Sequence, residues 1–438
     1  MNNKGKFWAA LVIFSLVGQI AWVVENMYFN VFIYKMFNAT AGDISTMVAA
    51  SAVAAAVTTI LIGAVSDRIG KRKIFMCLGY ILWGFSIIAF AFVRLDLVSG
   101  LFGAAVNAAA VAVTIVIILD CVMTFFGSTA NDAAYNAWLT DMTDQTNRGK
   151  AEGINSMMPL VAILVVFGGF MGFDLDKAES WTYIYVIIGG AVLLIGVLGF
   201  FIVDEPAAGK PDELGLLGTI IYGLRPKVVK SNPKLYLTLL GFIVFNISIQ
   251  IFMPYLIIYY EKSLGIANYV LIMAPAIIAA AAVTAVYGRF IDKHGFYKSA
   301  VPSLGMLMLG YVLLFLFPGA IKCEGTAMMI PVFIGSLLML SGFLSGMAVF
   351  GAEIRNNTPL KMAGRFQGLR IIAQVLIPGV VGPKIGAAVL KNAETITNSD
   401  GTTSFLPNNS IFLAAFIAAA VLAVLLAVFR ALTKKHEA

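Results

Sequence analysis

Apolar residues run along this chain in stretches long enough to cross a bilayer, broken by short polar turns. Hydropathy places twelve such spans of roughly 20 residues, near 7–34, 43–65, 74–94, 109–137, 153–173, 182–203, 235–259, 268–288, 299–318, 327–350, 369–390 and 409–430. The stretch from Val98 to Ala137 is long for one crossing and short for two. A single long span four with an outer helical extension keeps the charged turns on one side. Between spans six and seven, Asp204–Lys234 carries four prolines, five Lys/Arg and no spanning run. It is a cytoplasmic linker with a surface helix near Leu214–Tyr222. The pattern predicts an all-α membrane protein of two six-helix halves, 1–203 and 235–438, joined by 204–234.

Two polar cassettes occur once in each half. Gly63-Ala-Val-Ser-Asp67-Arg68-Ile-Gly70-Lys71-Arg72-Lys73 recurs, weakened, as Gly288-Arg-Phe-Ile-Asp292-Lys293-His-Gly295-Phe-Tyr-Lys298. Ala137-Trp-Leu-Thr-Asp141 with Arg148-Gly149-Lys150 recurs as Ala352-Glu-Ile-Arg-Asn356 with Ala363-Gly364-Arg365. Two cassettes in the same order at nearly the same offset indicate duplication, with parallel pseudo-symmetric halves.

Composition agrees: 60% of the residues are hydrophobic and 12% charged, so the bilayer is the solvent. The net charge of +7 does not call for nucleic acid, because about 23 of the 30 Lys/Arg fall in turns assigned to the cytoplasmic side. Both termini are then cytoplasmic. The first apolar run exceeds a signal-peptide core and reads as a retained span. Three cysteines and two histidines lack disulfide or metal spacing, so no cofactor or metal is expected.

The Gly63–Lys73 turn resembles the loop signature of the major facilitator superfamily, as do the twelve spans, the central linker and the Arg-Gly turn after span four. Gly18-Gln19-Ile-Ala-Trp22, Asp120 and Lys384 resemble the glycoside–pentoside–hexuronide:cation symporters and related sucrose carriers. That resemblance implies a substrate-site aspartate at Asp120 and a cation-coupling lysine at Lys384. It also implies acidic residues on span two for sodium, yet none lies between Asp43 and Asp67. A proton is therefore the favoured coupling ion.

Ionisable residues within a span cost roughly 2.5–3.5 kcal/mol to insert and invite a functional explanation. Glu25, Asp120 and Lys384 lie at similar depth, somewhat outside the midplane. Gly18, Trp22, Glu25 and Phe29 share one face of span one, with Gln19, Asn26 and Asn30 beside it. Trp22 is a stacking platform for a sugar, and the repeat maps Glu25 onto Gln250, with Asn246 one turn earlier. Asp120, Thr124, Gly127, Asn131 and Tyr135 follow one face of span four, with Asp132 nearer the cytoplasmic mouth. The competing explanations are interhelical hydrogen bonds for the amides and a snorkelling lysine for Lys384. Asp67, Arg68, Gly70, Arg72, Arg148 and Asp292 form the gating set. In it Asp67 faces the start of span eleven, and the cations pair with Asp141, Asp144 or Glu152, contacts that break as the halves rock.

The sequence thus predicts a monomeric secondary transporter of the plasma (inner) membrane. It moves a small polar solute, a sugar or glycoside, with a proton by alternating access. The rivals are a proton-driven exporter of amphipathic solutes and a non-transporting receptor, the second disfavoured by short termini. An enzyme is not expected, since no nucleophile–base pair, phosphate loop or ATPase motif is present.

Overall fold

A computed structural model describes residues 3–103, 107–144, 147–205, 222–317, 321, 325–358, 368–398 and 401–437. Spanning segments become helices because a helix satisfies its backbone groups internally. The first unit holds α1 (Gly5–Phe37), α2 (Ala41–Ser66), α3 (Arg72–Phe92), α4 (Ala108–Asp141), α5 (Lys150–Phe170) and α6 (Ala178–Ile202). The second holds α7 (Pro233–Ser263), then one helical stretch Val270–Phe315, α10 (Ala327–Asn357), α11 (Gly368–Val389) and α12 (Ser410–Ala431). Val270–Phe315 is two spans, α8 (270–294) and α9 (296–315), because Gly295 between them has φ 71 and ψ −175. The count is therefore twelve. The chain divides into two compact units, Met1–Ile221 and Tyr222–Ala438.

Local chemistry sets the boundaries. A capping box between Thr40 and Asp43 starts the helix Ala41–Ile69, and Gly70 in the left-handed region ends it, its N–H bonding Ser66 O at 2.9 Å. Small residues let backbones approach within each unit. A Cβ on Gly84 would lie 2.6 Å from Gly189 O, joining α3 to α6, and one on Gly79 would lie 2.7 Å from Ala130 Cβ, joining α3 to α4. In the second unit Gly310 of α9 sits as tightly, 2.7 Å from Gly335 O of α10.

The structure departs from the sequence reading at two places. The extension before span four is a separate helix, Leu95–Phe102, ended by Gly103 at φ 81, and it does not run on into α4. A small antiparallel hairpin, β1 (Thr395–Thr397) with β2 (Thr403–Phe405), precedes α12. Its alternating threonines suit a strand but are too few to stand out beside the spans. The surface helix expected at Leu214–Tyr222, Cys323, Ala363, Gly364 and Arg365 lie outside the described residues.

Candidate functional site

The polar face of the first unit closes around Glu25. This residue lies in a π-helical turn, Val24–Tyr28, which widens α1 where a polar side chain must be turned inward. Its Oε1 accepts hydrogen bonds from Ser51 Oγ of α2 at 2.6 Å and Thr124 Oγ1 of α4 at 2.8 Å, and the two hydroxyls are 2.8 Å apart. Asp120, one turn before Thr124, sets a second carboxyl against Ser51 and within the field of Glu25. Glu25 is 7% exposed and Asp120 2%. Glu25 Oε2 and Asp120 Oδ1 have no hydrogen-bond partner among the described residues, nor has the hydroxyl of nearby Tyr185. Buried polar atoms are normally paired, so oxygens left over on two adjacent acids need an explanation.

A second network lies beside the first. Trp22 Nε1 donates to Asn131 Oδ1 at 3.3 Å, Asn131 Nδ2 donates to the Tyr80 hydroxyl at 2.7 Å, and that hydroxyl donates to Phe14 O at 2.7 Å. Asn131 lies in the longer π-helical turn Ser128–Tyr135 of α4. Gly18 leaves room for the Asn131–Tyr80 bond, because a Cβ there would strike the Asn131 amide. Trp22 tilts on Trp83 at 5.0 Å, over Gly127, whose Cβ would lie 2.7 Å from Trp83. Asp132 is half-buried and accepts from Ser128 Oγ at 2.9 Å. Asn26 is exposed, bonding Trp22 O at 2.8 Å, and Gln19 is half-buried. Glu25, Asp120, Trp22 and Asn131 are thus gathered into one region, while Asp132, Gln19 and Asn26 flank it.

The second unit treats its candidates differently. Asn246 is buried but spends its amide on Phe242 O of its own helix, at 2.8 Å. Gln250 is half-buried where α7 meets α11: a Cβ on Gly382 would lie 2.5 Å from Gln250 Cβ. Lys384, expected as a buried counter-ion, is exposed and makes no ion pair among the described residues. Gly382 and Gly386 take the face of α11 that packs on α7, so Lys384 is turned away from it. Among the described residues no cluster of three His, Cys, Asp or Glu could hold a metal.

A model of the Major Facilitator Superfamily matches residues 8–383 of the 438. The chain belongs to this superfamily. No curated protein matches the sequence. Among solved structures, a mutant of the nucleoside transporter NupG is similar, with a TM-score of 0.71, 12% identity, and 96% of this chain and 98% of that one covered. A D-xylose–proton symporter has a TM-score of 0.69, 14% identity, and coverage of 95% and 96%. The xylose transporter XylE from E. coli has a TM-score of 0.68, 15% identity, and coverage of 97% and 98%. At these identities the likeness is one of fold. The superfamily makes the chain an integral membrane transporter, not an enzyme.

The turn between α2 and α3 carries four of the gating candidates, Asp67, Arg68, Gly70 and Arg72, while Arg148 and Asp292 lie elsewhere. Gly70 has φ 69, a conformation that disfavours any side chain. Arg72 Nε bonds Asp141 Oδ2 at 3.0 Å and its Nη1 bonds Ser66 Oγ at 2.8 Å. This corrects one expectation. Arg72, Asp141 and Ser66 belong to one unit, so halves rocking as rigid bodies would not break the pair. Arg68 and Asp292 are exposed. The side chains of Asp67 and Arg148 lie outside those described.

Sequence reasoning missed the partners. Ser51 is one of several hydroxyls on span two, and Tyr80, Trp83 and Tyr185 sit in apolar spans where nothing in the sequence singles them out. Only the glycine–aromatic pairing of Gly18 and Gly127 with Tyr80 and Trp83 could have raised them, and that pairing exists only in three dimensions.

Proposed function

We propose that this transporter is a proton-coupled symporter of a sugar or glycoside. The observation that carries the reading is the buried pair Glu25 and Asp120, each with an oxygen lacking a partner. Neither forms an ion pair among the described residues, and two negative charges side by side away from water are costly. A cation delivered to the pair removes that cost. The proton fits best, because α2 contributes the Ser51 hydroxyl but no carboxylate. Trp22, Gln19, Asn26 and Asp132 supply the stacking surface and hydrogen bonds that a polyhydroxylated ring needs, Asn131 holds Trp22 in place, and Asn246 and Gln250 are the neutral counterparts. In this scheme Asp67, Arg68, Arg148 and Asp292 act in gating at the cytoplasmic turns, Gly70 shapes the first of them, and Arg72 braces the first unit. The protein works as a monomer in the plasma membrane with cytoplasmic termini. The xylose–proton symporter and nucleoside transporter that share the fold suggest the first solutes to try.

The test is uptake into proteoliposomes under an imposed pH gradient. Glu25→Gln or Asp120→Asn should abolish uphill accumulation while leaving solute exchange at zero gradient. Uphill uptake that is unchanged in both variants overturns the coupling assignment. Dye efflux with no solute accumulation would replace it with the exporter.

A further inference from the structure

Trp22 is held in one orientation by a chain of groups from three helices. Its indole N–H ends a relay through Asn131 and Tyr80 to the main-chain carbonyl of Phe14. Each member has a fixed partner: the tyrosine hydroxyl gives its only proton to the carbonyl and accepts the amide with a lone pair, and the Asn131 carbonyl oxygen is left for the indole. Asn131 is 3% exposed and Tyr80 is fully buried, so water does not compete for these bonds. Trp83 at 5.0 Å, tilted by 47°, backs the ring, and Gly127 leaves the space that both indoles occupy. Trp22 itself is only half-buried, so part of the residue remains accessible.

A buried indole N–H normally finds a partner, so that bond alone does not mark a site; what sets Trp22 apart is a ring anchored at its N–H and backed by Trp83 while the residue stays half-buried. A ring held in one plane is ready to receive a flat face, because aromatic contacts have specific geometry and a fixed ring need not be ordered when the solute binds. We propose that Trp22 is a preorganised stacking subsite for a ring of the transported solute, and that Asn131 and Tyr80 are the positioning residues that set its plane. The inference rests on the transport reading above. The ligand chemistry is a ring with a flat face that can lie on an indole. Two sources present such a face: the C–H side of a pyranose and the π face of an aromatic aglycone or nucleobase. Asn131 and Tyr80 act through the indole, so their loss should weaken solute binding without stopping the transport cycle.

The experiment measures initial uptake by the full chain in proteoliposomes, using methyl β-glucoside, phenyl β-glucoside and uridine as probes. Trp22→Phe keeps a ring but loses the N–H, Asn131→Ala removes the acceptor, and Tyr80→Phe cuts the relay to Phe14. Each should raise the apparent KM about tenfold with maximal rate retained. Combining Trp22→Phe with Asn131→Ala should be no worse than either alone, because both break one unit. Asn131→Gln, which keeps the amide, should recover part of the loss. An effect on methyl β-glucoside identifies the sugar face, and one confined to phenyl β-glucoside or uridine identifies the π face. Additive losses, a fall in maximal rate that follows the detergent unfolding midpoint, or an unchanged KM in Trp22→Phe would overturn the subsite. Failure of the unaltered protein to move any of the probes would count against the solute class, a result separable from those of the variants.

Discussion

The two units share a scaffold and divide the chemistry. Glycines bring α3 against α4 in the first and α9 against α10 in the second. The buried polar groups differ. The first unit buries Glu25 and Asp120; the buried polar side chains described in the second are Thr238, Asn246 and serines, with no charged group. The orphaned atoms follow the same division. Among the described residues they include both acids and the Tyr185 hydroxyl in the first unit, and only the Ser299 and Ser341 hydroxyls in the second. After a duplication, packing constrains both copies equally, because a Cβ at a glycine contact clashes in either. An ionisable group in the membrane has a standing cost and persists where it performs work. On the reading proposed here, one copy kept the ion step and the other kept neutral hydrogen bonding.

The largest expected effect comes from moving the charge. Glu25→Gln combined with Gln250→Glu should leave uphill uptake on the order of 100-fold below that of the unaltered protein. Gln250 stands against Gly382, with no hydroxyl pair like Ser51 and Thr124 described around it. Restored accumulation would break the comparison. Next in size are the shared contacts. Gly79→Ala and Gly310→Ala should each lower stability by about 1–3 kcal/mol, read as unfolding midpoints in detergent. A cost in only one unit would show that the scaffolds are less alike than their helices suggest. Smaller is the removal of one hydroxyl: Ser51→Ala should slow coupled uptake about tenfold, since one of the two bonds holding Glu25 Oε1 is lost. Ser248→Ala, at a buried serine of α7, should leave the rate within twofold. The smallest is Arg72→Ala, expected to cost about 1 kcal/mol of stability, less in high salt, without the coupling defect of Glu25→Gln. Abolished coupling would return Arg72 to the gate.

How much of this was legible in the chain depends on range. Spans were, because hydropathy sums over about 20 residues and survives local irregularity. The boundary at Gly70 and the turn at Gly295 were marked by glycine in polar cassettes, although a positive φ at Gly295 inside an otherwise continuous helical stretch was not expected. Glu25 and Asp120 announced themselves as acids among apolar neighbours, and helical periodicity put Trp22 and Thr124 on their faces. Their partners were silent: a serine on α2 or a tyrosine on α3 means little until three helices meet. The exposure of Lys384 was hidden for the same reason. Its charge was visible, but the direction it takes from α11 is set by Gly382 and Gly386 on the opposing face.

The π-helical turn at Val24–Tyr28 has one more consequence. Such a turn accommodates one residue more than an α-helical turn, so helical phase on either side of it slips by about 100°. Labelling introduced cysteines one by one along α1 would give a periodic accessibility trace that breaks step near Glu25. In α7 the π-helical turn comes later, at Tyr259–Ser263, and none falls in Pro233–Phe252, so the gapless alignment that pairs Glu25 with Gln250 holds only up to this point. From there to the π-helical turn of α7, positions in the two copies should be matched with a gap of one, and that later turn brings them back into step.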